Sequence, residues 1–276
     1  QQHHKADGVQ LDVTVVAEPA VDSLAGLSAQ LKVMLEGETV AETSETLSNG
    51  MGTSWLDIPQ PQLWWPNGLG EQNLYCIEVA LTDESGTQLD TAEKRIGLRT
   101  LTLVQEEDDW GESFRFEVNG VPFFAKGGNW IPTDVFQPRV TEAVYRHELQ
   151  SCVDVHMNML RVWGGGIYEE DTFYDICDEL GICVWQDFMF ACAAYPANRP
   201  EFMTNVREEA IQNIRRIRHH PCIALYCGNN ELEQIGFVTD DPDAVGRMTW
   251  AEYSSLFDEL LPGLVAAHHP GASYIP

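Results

Sequence analysis

Basic residues are scarce in this sequence, with 16 Lys and Arg against 43 Asp and Glu and a formal net charge of −27. A surface of that charge repels phosphate backbones, so no binding of nucleic acid is expected. A polyanionic substrate is disfavoured for the same reason, whereas an uncharged substrate is compatible with the charge.

Long apolar runs are also missing. No stretch approaches the roughly 18 consecutive apolar residues that a membrane-spanning helix requires, so no membrane association is expected. The N-terminal residues Gln1–Lys5 are not followed by the apolar core of a secretory signal. The sequence has no initiator Met, so we expect it to begin partway through a longer protein.

Paired cysteine motifs are absent as well. The seven cysteines are an odd number, and none forms a CxxC pair, so neither a zinc site nor a disulfide framework is predicted. No other metal and no organic cofactor is predicted either. Several thiols lie within apolar stretches, which favours buried free cysteines and a reducing compartment such as the cytoplasm; these are Cys152, Cys177, Cys183 and Cys222.

The 276 residues are 44% apolar, enough for two modest domains or one large one. In the N-terminal part, apolar residues alternate with polar ones from Val9 to Val15 and from Leu31 to Leu35. Turn signals such as Asn49-Gly50 separate these short strands. We therefore predict a β-sandwich over residues 1–104.

From Phe114 onward, short apolar strands alternate with helical patterns, which predicts a parallel sheet. A helix capped by Asp171 and stopped by Gly181 is expected, and a second one from about Glu201 to His219. The predicted strands are Val121–Lys126, Met159–Trp163, Ile182–Phe188 and Cys222–Gly228. A complete (β/α)8 barrel takes roughly 250 residues, so residues 105–276 hold about half of one.

The last of these strands runs into Asn229, Asn230 and Glu231. In a parallel α/β barrel, catalytic side chains lie at the C-terminal ends of the strands. A carboxylate there, beside an amide that can hold a hydroxyl group, favours glycoside hydrolysis with the acid as proton donor. The alternative is an Asn-rich turn with a solvated Glu.

Three further segments strengthen the first interpretation. Together with Cys222–Glu231, they closely resemble, in order, the β-mannosidases among the retaining β-glycosidases that also include β-galactosidases and β-glucuronidases. These segments are Lys126–Asp134, Asn158–Tyr168 and Val184–Ala193. In the N-terminal part, Leu63–Gly68 resembles the family's immunoglobulin-like domain. The resemblance implies an immunoglobulin-like β-sandwich followed by the N-terminal half of a TIM barrel.

The resemblance also implies roles for individual residues. Glu231 would be the general acid/base, and Asn230 would hold the sugar 2-hydroxyl. Arg161 and Trp163 would line the subsite for the terminal sugar, the alternative being a core Trp and a structural salt bridge. Asp187 would either contact substrate or hold Arg161.

Asn129 and Trp130 follow the first predicted barrel strand and would contribute to the rim of the same site. In two positions the sequence departs from the family, since Tyr226 and Cys227 stand where relatives carry Trp and a small residue. The family's nucleophile is a second Glu on a later strand, which we expect to lie beyond Pro276. Residues 1–276 by themselves are therefore predicted to be inactive.

The expected function is that of a retaining exo-β-mannosidase that releases terminal non-reducing β-D-mannose from oligosaccharides or glycan fragments. Within the same class, an endo-β-mannosidase, a β-galactosidase or a β-glucuronidase remains open. Outside it, the alternative is a non-catalytic sugar-binding or structural module.

Overall fold

A computed structural model describes residues 1–18 and 26–276. It divides into two compact units, one formed by Gln1–Trp64 with Glu71–Thr100, and the other by Trp65–Gly70 with Leu101–Pro276.

The first unit is built from antiparallel strands in two sheets. Its strands are β1 (Gln2–Lys5), β2 (Gly8–Val16), β3 (Ser28–Leu35), β4 (Glu38–Thr46), β5 (Met51–Pro59), β6 (Tyr75–Thr82) and β7 (Gln88–Ile96). One sheet has the order β1-β2-β5 and the other β4-β3-β6-β7. Apolar residues at alternate positions of both sheets, such as Val9, Leu11, Leu31 and Val33, form one buried core. The unit is thus a sandwich of two sheets.

The second unit begins with short antiparallel strands. They are β8 (Leu101–Val104), β9 (Glu107–Asp108), β10 (Gly111–Glu112), β11 (Arg115–Val118) and β12 (Val121–Phe123). β12 and β8 flank β11. Asn119 and Gly120 join β11 to β12 with φ values of 50° and 77°, the positive angles that a tight hairpin turn requires. The prediction of a first barrel strand over Val121–Lys126 is therefore wrong, because Val121–Phe123 belongs to this hairpin.

A parallel sheet follows, with five strands in the order in which they occur along the chain. Its strands and the intervening helices are β13 (Gly127–Trp130), α1 (Glu142–Asp154), β14 (Met159–Val162), α2 (Asp171–Leu180), β15 (Cys183–Asp187), α3 (Pro200–Ile217) and β16 (Ile223–Cys227). The segment after β16 contains β17 (Val238–Thr239), β18 (Met248–Thr249), α4 (Trp250–Tyr253), a π-helical stretch (Ser254–Leu260), α5 (Leu261–His268) and the fifth sheet strand β19 (Ser273–Ile275).

The first strand of the sheet, β13, escaped sequence analysis because it begins with two glycines. A Cβ atom on Gly127 would lie 1.6 Å from the carbonyl oxygen of Met159 on β14, so only glycine permits the observed approach of the two strands. Asn129 and Trp130, expected to follow the first strand, are in fact part of it.

The helices bury their apolar faces against one side of the sheet. Val206, Ala210, Ile214 and Ile217 of α3 are buried, as their helical spacing predicts. Helix α2 ends at Gly181 with φ 72°, which confirms the predicted stop. Its first residue is Asp171 and its N-cap is Glu170, so the prediction that Asp171 caps the helix is wrong by one position. Among the helices of the described ranges, none is both long enough and apolar enough to cross a bilayer.

Candidate functional site

The C-terminal edge of the parallel sheet brings several predicted site residues together. Asn129 on β13 pairs in register with Arg161 on β14. Asp187 ends β15, and its partner Cys227 ends β16, just before Asn230 and Glu231. Side chains alternate between the two faces of a strand, and this row lies opposite the helices.

The guanidinium group of Arg161 is the centre of this cluster. Its Nε and Nη2 donate to the two carboxylate oxygens of Asp187 at 3.1 and 2.7 Å. Its Nη1 donates to Asn129 Oδ1 at 3.2 Å, and Nη2 also donates to Asn230 Oδ1 at 2.9 Å. The planar fork of arginine suits this task, because it presents several donors in a fixed geometry.

Asp187 holds Arg161 in place. Its side chain is fully buried, and besides Arg161 it accepts a hydrogen bond from the backbone N–H of Gly164 at 3.0 Å. Burial raises the pKa of the Asp187 carboxyl, while the hydrogen bonds and charge of Arg161 and the N–H of Gly164 act in the opposite direction. The geometry fits the second predicted role, that of holding Arg161, and direct contact with substrate stays a prediction.

Asn230 has a defined amide orientation. An arginine can only donate, so the Asn230 oxygen faces Arg161 and its NH2 group faces the thiol of Cys192, with an Nδ2–Sγ distance of 3.4 Å. The side chain is buried, and only 6% of the residue is exposed. Asn230 therefore enters the site with its acceptor already engaged.

Glu231 directly follows Asn230 in the sequence and is exposed. Its backbone has φ 62°, in the left-handed region that non-glycine residues seldom occupy and that is enriched at functional sites. Its Oε2 lies 3.8 Å from Cys192 Sγ. Within the described part of the chain, Cys192 is the one side chain in hydrogen-bond range of this carboxylate. An exposed carboxylate held next to an ordered amide can exchange a proton with a bound ligand.

Trp163 lies at the same edge of the sheet and is half-buried. The backbone N–H of Trp163 donates to the backbone carbonyl of Trp130 at 3.1 Å, which extends the pairing of β13 and β14 beyond Val162. The indole ring lies over Gly165, where an added Cβ would come within 2.1 Å of it. The glycine run after Trp163 thus makes room for the tryptophan side chain.

Trp130 is the predicted site residue that the structure does not bring to the cluster. Neighbouring residues of a strand face opposite sides, so Asn129 and Trp130 cannot both face Arg161. Trp130 packs in the core beneath the helices and donates its indole N–H to Glu169 Oε1 at 3.0 Å. Its contact with substrate stays a prediction that this position does not support.

Two residues near the site escaped sequence analysis. Cys192 follows Asp187 in an irregular segment, where no periodic pattern indicated its contacts. Glu169 is 2% exposed and accepts hydrogen bonds from Trp130 and from Tyr145, the latter at 2.5 Å. Burial raises the pKa of Glu169, against the effect of these hydrogen bonds. The only available signal was a pair of acidic residues directly before α2.

The two departures from the family pattern lie below the site. Tyr226 is buried in the core, and its hydroxyl lies 3.1 Å from His269 Nδ1. Cys227 is 4% exposed, and its thiol donates to the carbonyl of Asn229 at 3.4 Å. Burial raises the pKa of this thiol to about 12, so it stays protonated at neutral pH.

In the described ranges, two groups of side chains come close enough to share a metal ion. One is Cys76, Glu78 and Glu93 in the sandwich, and the other is Asp175, Asp178 and His220 in the second unit. In the latter, Asp178 accepts from the backbone N–H of Cys222 at 3.0 Å and lies 2.6 Å from His220 Nδ1, so it fixes the turn that leads into β16. Neither group includes a residue of the Arg161 cluster.

The chain is similar to known glycoside hydrolases in both sequence and structure. Residues 1–99 match the family described as Glycosyl hydrolases family 2. Beta-mannosidase B of Aspergillus oryzae is 42% identical over 267 residues, which cover 93% of this chain and 31% of that protein. Beta-mannosidase B of Aspergillus terreus is 39% identical over 283 residues, covering 99% of this chain and 32% of that protein.

A crystal structure of the β-D-mannosidase from Dictyoglomus thermophilum matches with a TM-score of 0.87 and 38% identity, covering 99% of this chain and 33% of that one. The chain thus spans about a third of the length of the relatives it matches. This similarity runs through both units, and residues 1–99 carry the domain of Glycosyl hydrolases family 2.

Proposed function

We propose that the protein is a retaining exo-β-mannosidase. The observation that carries the proposal is the hydrogen-bonded cluster of Asp187, Arg161 and Asn230 beside the exposed carboxylate of Glu231. It lies at the sheet edge where barrel enzymes carry out their chemistry, in a chain 42% identical to a protein named Beta-mannosidase B.

We assign the general acid/base role to Glu231. In the first step its carboxyl group gives a proton to the glycosidic oxygen as the bond to the anomeric carbon breaks. A second carboxylate attacks that carbon and forms a covalent glycosyl-enzyme. Glu231, now ionised, then takes a proton from water, whose oxygen displaces the enzyme carboxylate and restores the original anomeric configuration.

The second carboxylate is assigned, through the family resemblance, to a Glu on a later strand of the barrel. For a retaining enzyme, the two carboxyl groups need to lie about 5–5.5 Å apart. Accordingly, we propose that the five-stranded parallel sheet is the first part of a (β/α)8 barrel and that the sandwich is of the immunoglobulin type. Residues 1–276 by themselves are then predicted to be inactive.

Asn230 is assigned to the 2-hydroxyl of the terminal sugar. Its oxygen is occupied by Arg161 and one N–H of its NH2 group faces the Cys192 thiol, so the second N–H remains to donate to the ligand. In mannose the 2-hydroxyl is axial, so a fixed donor at this point favours one epimer. The exposed Asn129 and the half-buried Trp163 complete the wall of the subsite, where an indole face packs against sugar C–H groups.

The substrate class is β-mannoside oligosaccharides or glycan fragments, with mannose at the non-reducing end. No metal or organic cofactor takes part in the proposed reaction, because the proton transfers and the covalent intermediate need only carboxyl groups. The net charge of −27 suits an uncharged sugar better than a uronic acid.

A set of matched aryl glycosides tests the proposal on the full-length protein. We expect the β-mannoside to be cleaved with a kcat/KM at least tenfold above those of the β-galactoside, β-glucuronide and β-glucosaminide. Proton NMR at early times should show β-mannose as the first product. Preference for another sugar would refute the substrate assignment, α-mannose as first product would refute retention, and cleavage only within longer glycans would refute exo action.

A further inference from the structure

The segments that carry Cys192 and Glu231 are joined by backbone hydrogen bonds. The N–H of Asn230 donates to the carbonyl of Phe190 at 2.9 Å, and the N–H of Cys192 donates to the carbonyl of Asn230 at 3.1 Å. Ala191 and Asn230 thereby form an isolated parallel bridge beyond the ends of β15 and β16. Cys192 directly follows Ala191, and Glu231 directly follows Asn230. The bridge therefore fixes the backbone position at which each of these two residues begins.

Both residues have left-handed backbones, with φ 50° at Cys192 and φ 62° at Glu231. Such angles are unfavourable for residues with a side chain and persist only where the surrounding structure fixes them. The two side chains meet, with Cys192 Sγ 3.8 Å from Glu231 Oε2.

The thiol of Cys192 lies between Asn230 and Glu231. Its sulfur accepts from Asn230 Nδ2 at 3.4 Å, and its S–H points toward Glu231 Oε2 at 3.8 Å. Arg161 fixes the orientation of the Asn230 amide, which in turn fixes the sulfur as acceptor. A continuous chain of contacts therefore runs from buried Asp187 through Arg161 and Asn230 to the thiol and the exposed carboxylate.

We propose that Cys192 is a positioning residue that orients the carboxyl group of Glu231 for proton transfer to the leaving group. The inference rests on the proposed function, since it assigns a partner to the acid/base of that same site. Thiols are weak hydrogen-bond partners, so the contact restrains the carboxyl without keeping it from the substrate. The buried thiol of Cys222, by contrast, donates to the carbonyl of Tyr174 at 3.8 Å.

Leaving-group dependence tests this role, because only substrates with poor leaving groups need the proton in the first step. In the full-length protein, kcat/KM is measured for β-mannosides from dinitrophenyl to alkyl leaving groups. We expect Cys192→Ala and Cys192→Gly to lose about tenfold on poor leaving groups and less than threefold on dinitrophenyl mannoside, since a general acid contributes 10²–10⁴-fold in total. Cys192→Ser, which keeps a donor, should recover most of the loss.

Two further variants make the result interpretable. Cys152→Ala removes a half-buried thiol from α1, remote in the chain from the sheet edge, and should leave the whole series unchanged. Glu231→Gln gives the reference for complete loss of the acid. The glycine variant suits the positive φ, so it serves if the alanine variant does not fold.

An equal loss on all leaving groups, or no loss, would overturn the role of Cys192, as would a serine variant no better than alanine. If Glu231→Gln itself shows no dependence on the leaving group, the proposed function fails instead. Because the reference variant reports on Glu231 and the cysteine variants on Cys192, the two failures are distinguishable.

Discussion

Removal of Arg161 should destabilise the second unit strongly. In Arg161→Met the fully buried Asp187 loses both hydrogen bonds from Arg161 and its counter-charge, and keeps the N–H of Gly164 and the thiol of Cys227 as donors. Breaking a buried ion pair from one side costs about 3–5 kcal/mol, because a buried charge is left uncompensated. Without Arg161, the hydrogen bonds and charge that lower the pKa of Asp187 are lost and burial raises it further, so uptake of a proton limits the cost, which we expect to be about 3–4 kcal/mol.

The reverse change should cost less. Asp187→Asn leaves the guanidinium of Arg161, which is 23% exposed and can recruit water, so we expect about 1–3 kcal/mol. The double variant leaves neither charge buried, and its cost should fall about 2–3 kcal/mol below the sum of the single variants.

Urea unfolding, followed by near-ultraviolet circular dichroism, measures these differences on the full-length protein. The matched control is Arg115→Met, which removes an exposed pair with Glu106 of 3.0 Å and should cost less than about 1 kcal/mol. A cost for Arg161→Met no larger than that of the control, or additive costs in the double variant, would refute the interpretation of Asp187 as the partner that holds Arg161.

Two further predictions concern stability. Gly127→Ala should cost about 3 kcal/mol or more in thermal or urea unfolding, because the added Cβ would overlap the Met159 carbonyl. The control Gly128→Ala, where the added Cβ meets open space, should change stability by less than about 1 kcal/mol. Similar costs for the two variants would contradict the close approach of the strands. Since burial raises the pKa of Glu169 above its ordinary value of 4.5, the folded protein holds this proton longer than the unfolded chain, and stability is lost as pH rises from about 4.5 through the raised pKa. Glu169→Gln should remove that loss, so the variant gains on the wild type in unfolding free energy between pH 4 and pH 7, and a constant difference would contradict it.

Strong periodic patterns made most of the second unit predictable. The apolar strands at Met159, Ile182 and Cys222 and the amphipathic helix before His219 all occur, with ends shifted by only a few residues. Their burial is set by the sequence periodicity itself, because each buries a continuous face. The sandwich was predictable for the same reason, from alternation over residues such as Val9 to Val15.

What the sequence hid depends on contacts between distant segments. β13 begins with glycines, which indicate a loop by propensity, and its pairing with Met159 became visible only in three dimensions. The misplacement of that strand also placed Trp130 at the rim, although it faces the core. The contacts of Cys192 arise from an isolated bridge between two irregular segments, for which no local pattern exists.

Chemical rescue of a Glu231 variant tests the central proposal most directly. In full-length Glu231→Gln, we predict that turnover of mannosides with poor leaving groups falls at least 100-fold, the lower bound for loss of a general acid. Azide needs no general base, so on dinitrophenyl mannoside it should accelerate turnover and yield β-mannosyl azide. Undiminished hydrolysis of natural mannosides by this variant, or a lack of any azide product, would contradict the assignment of Glu231 as the acid/base.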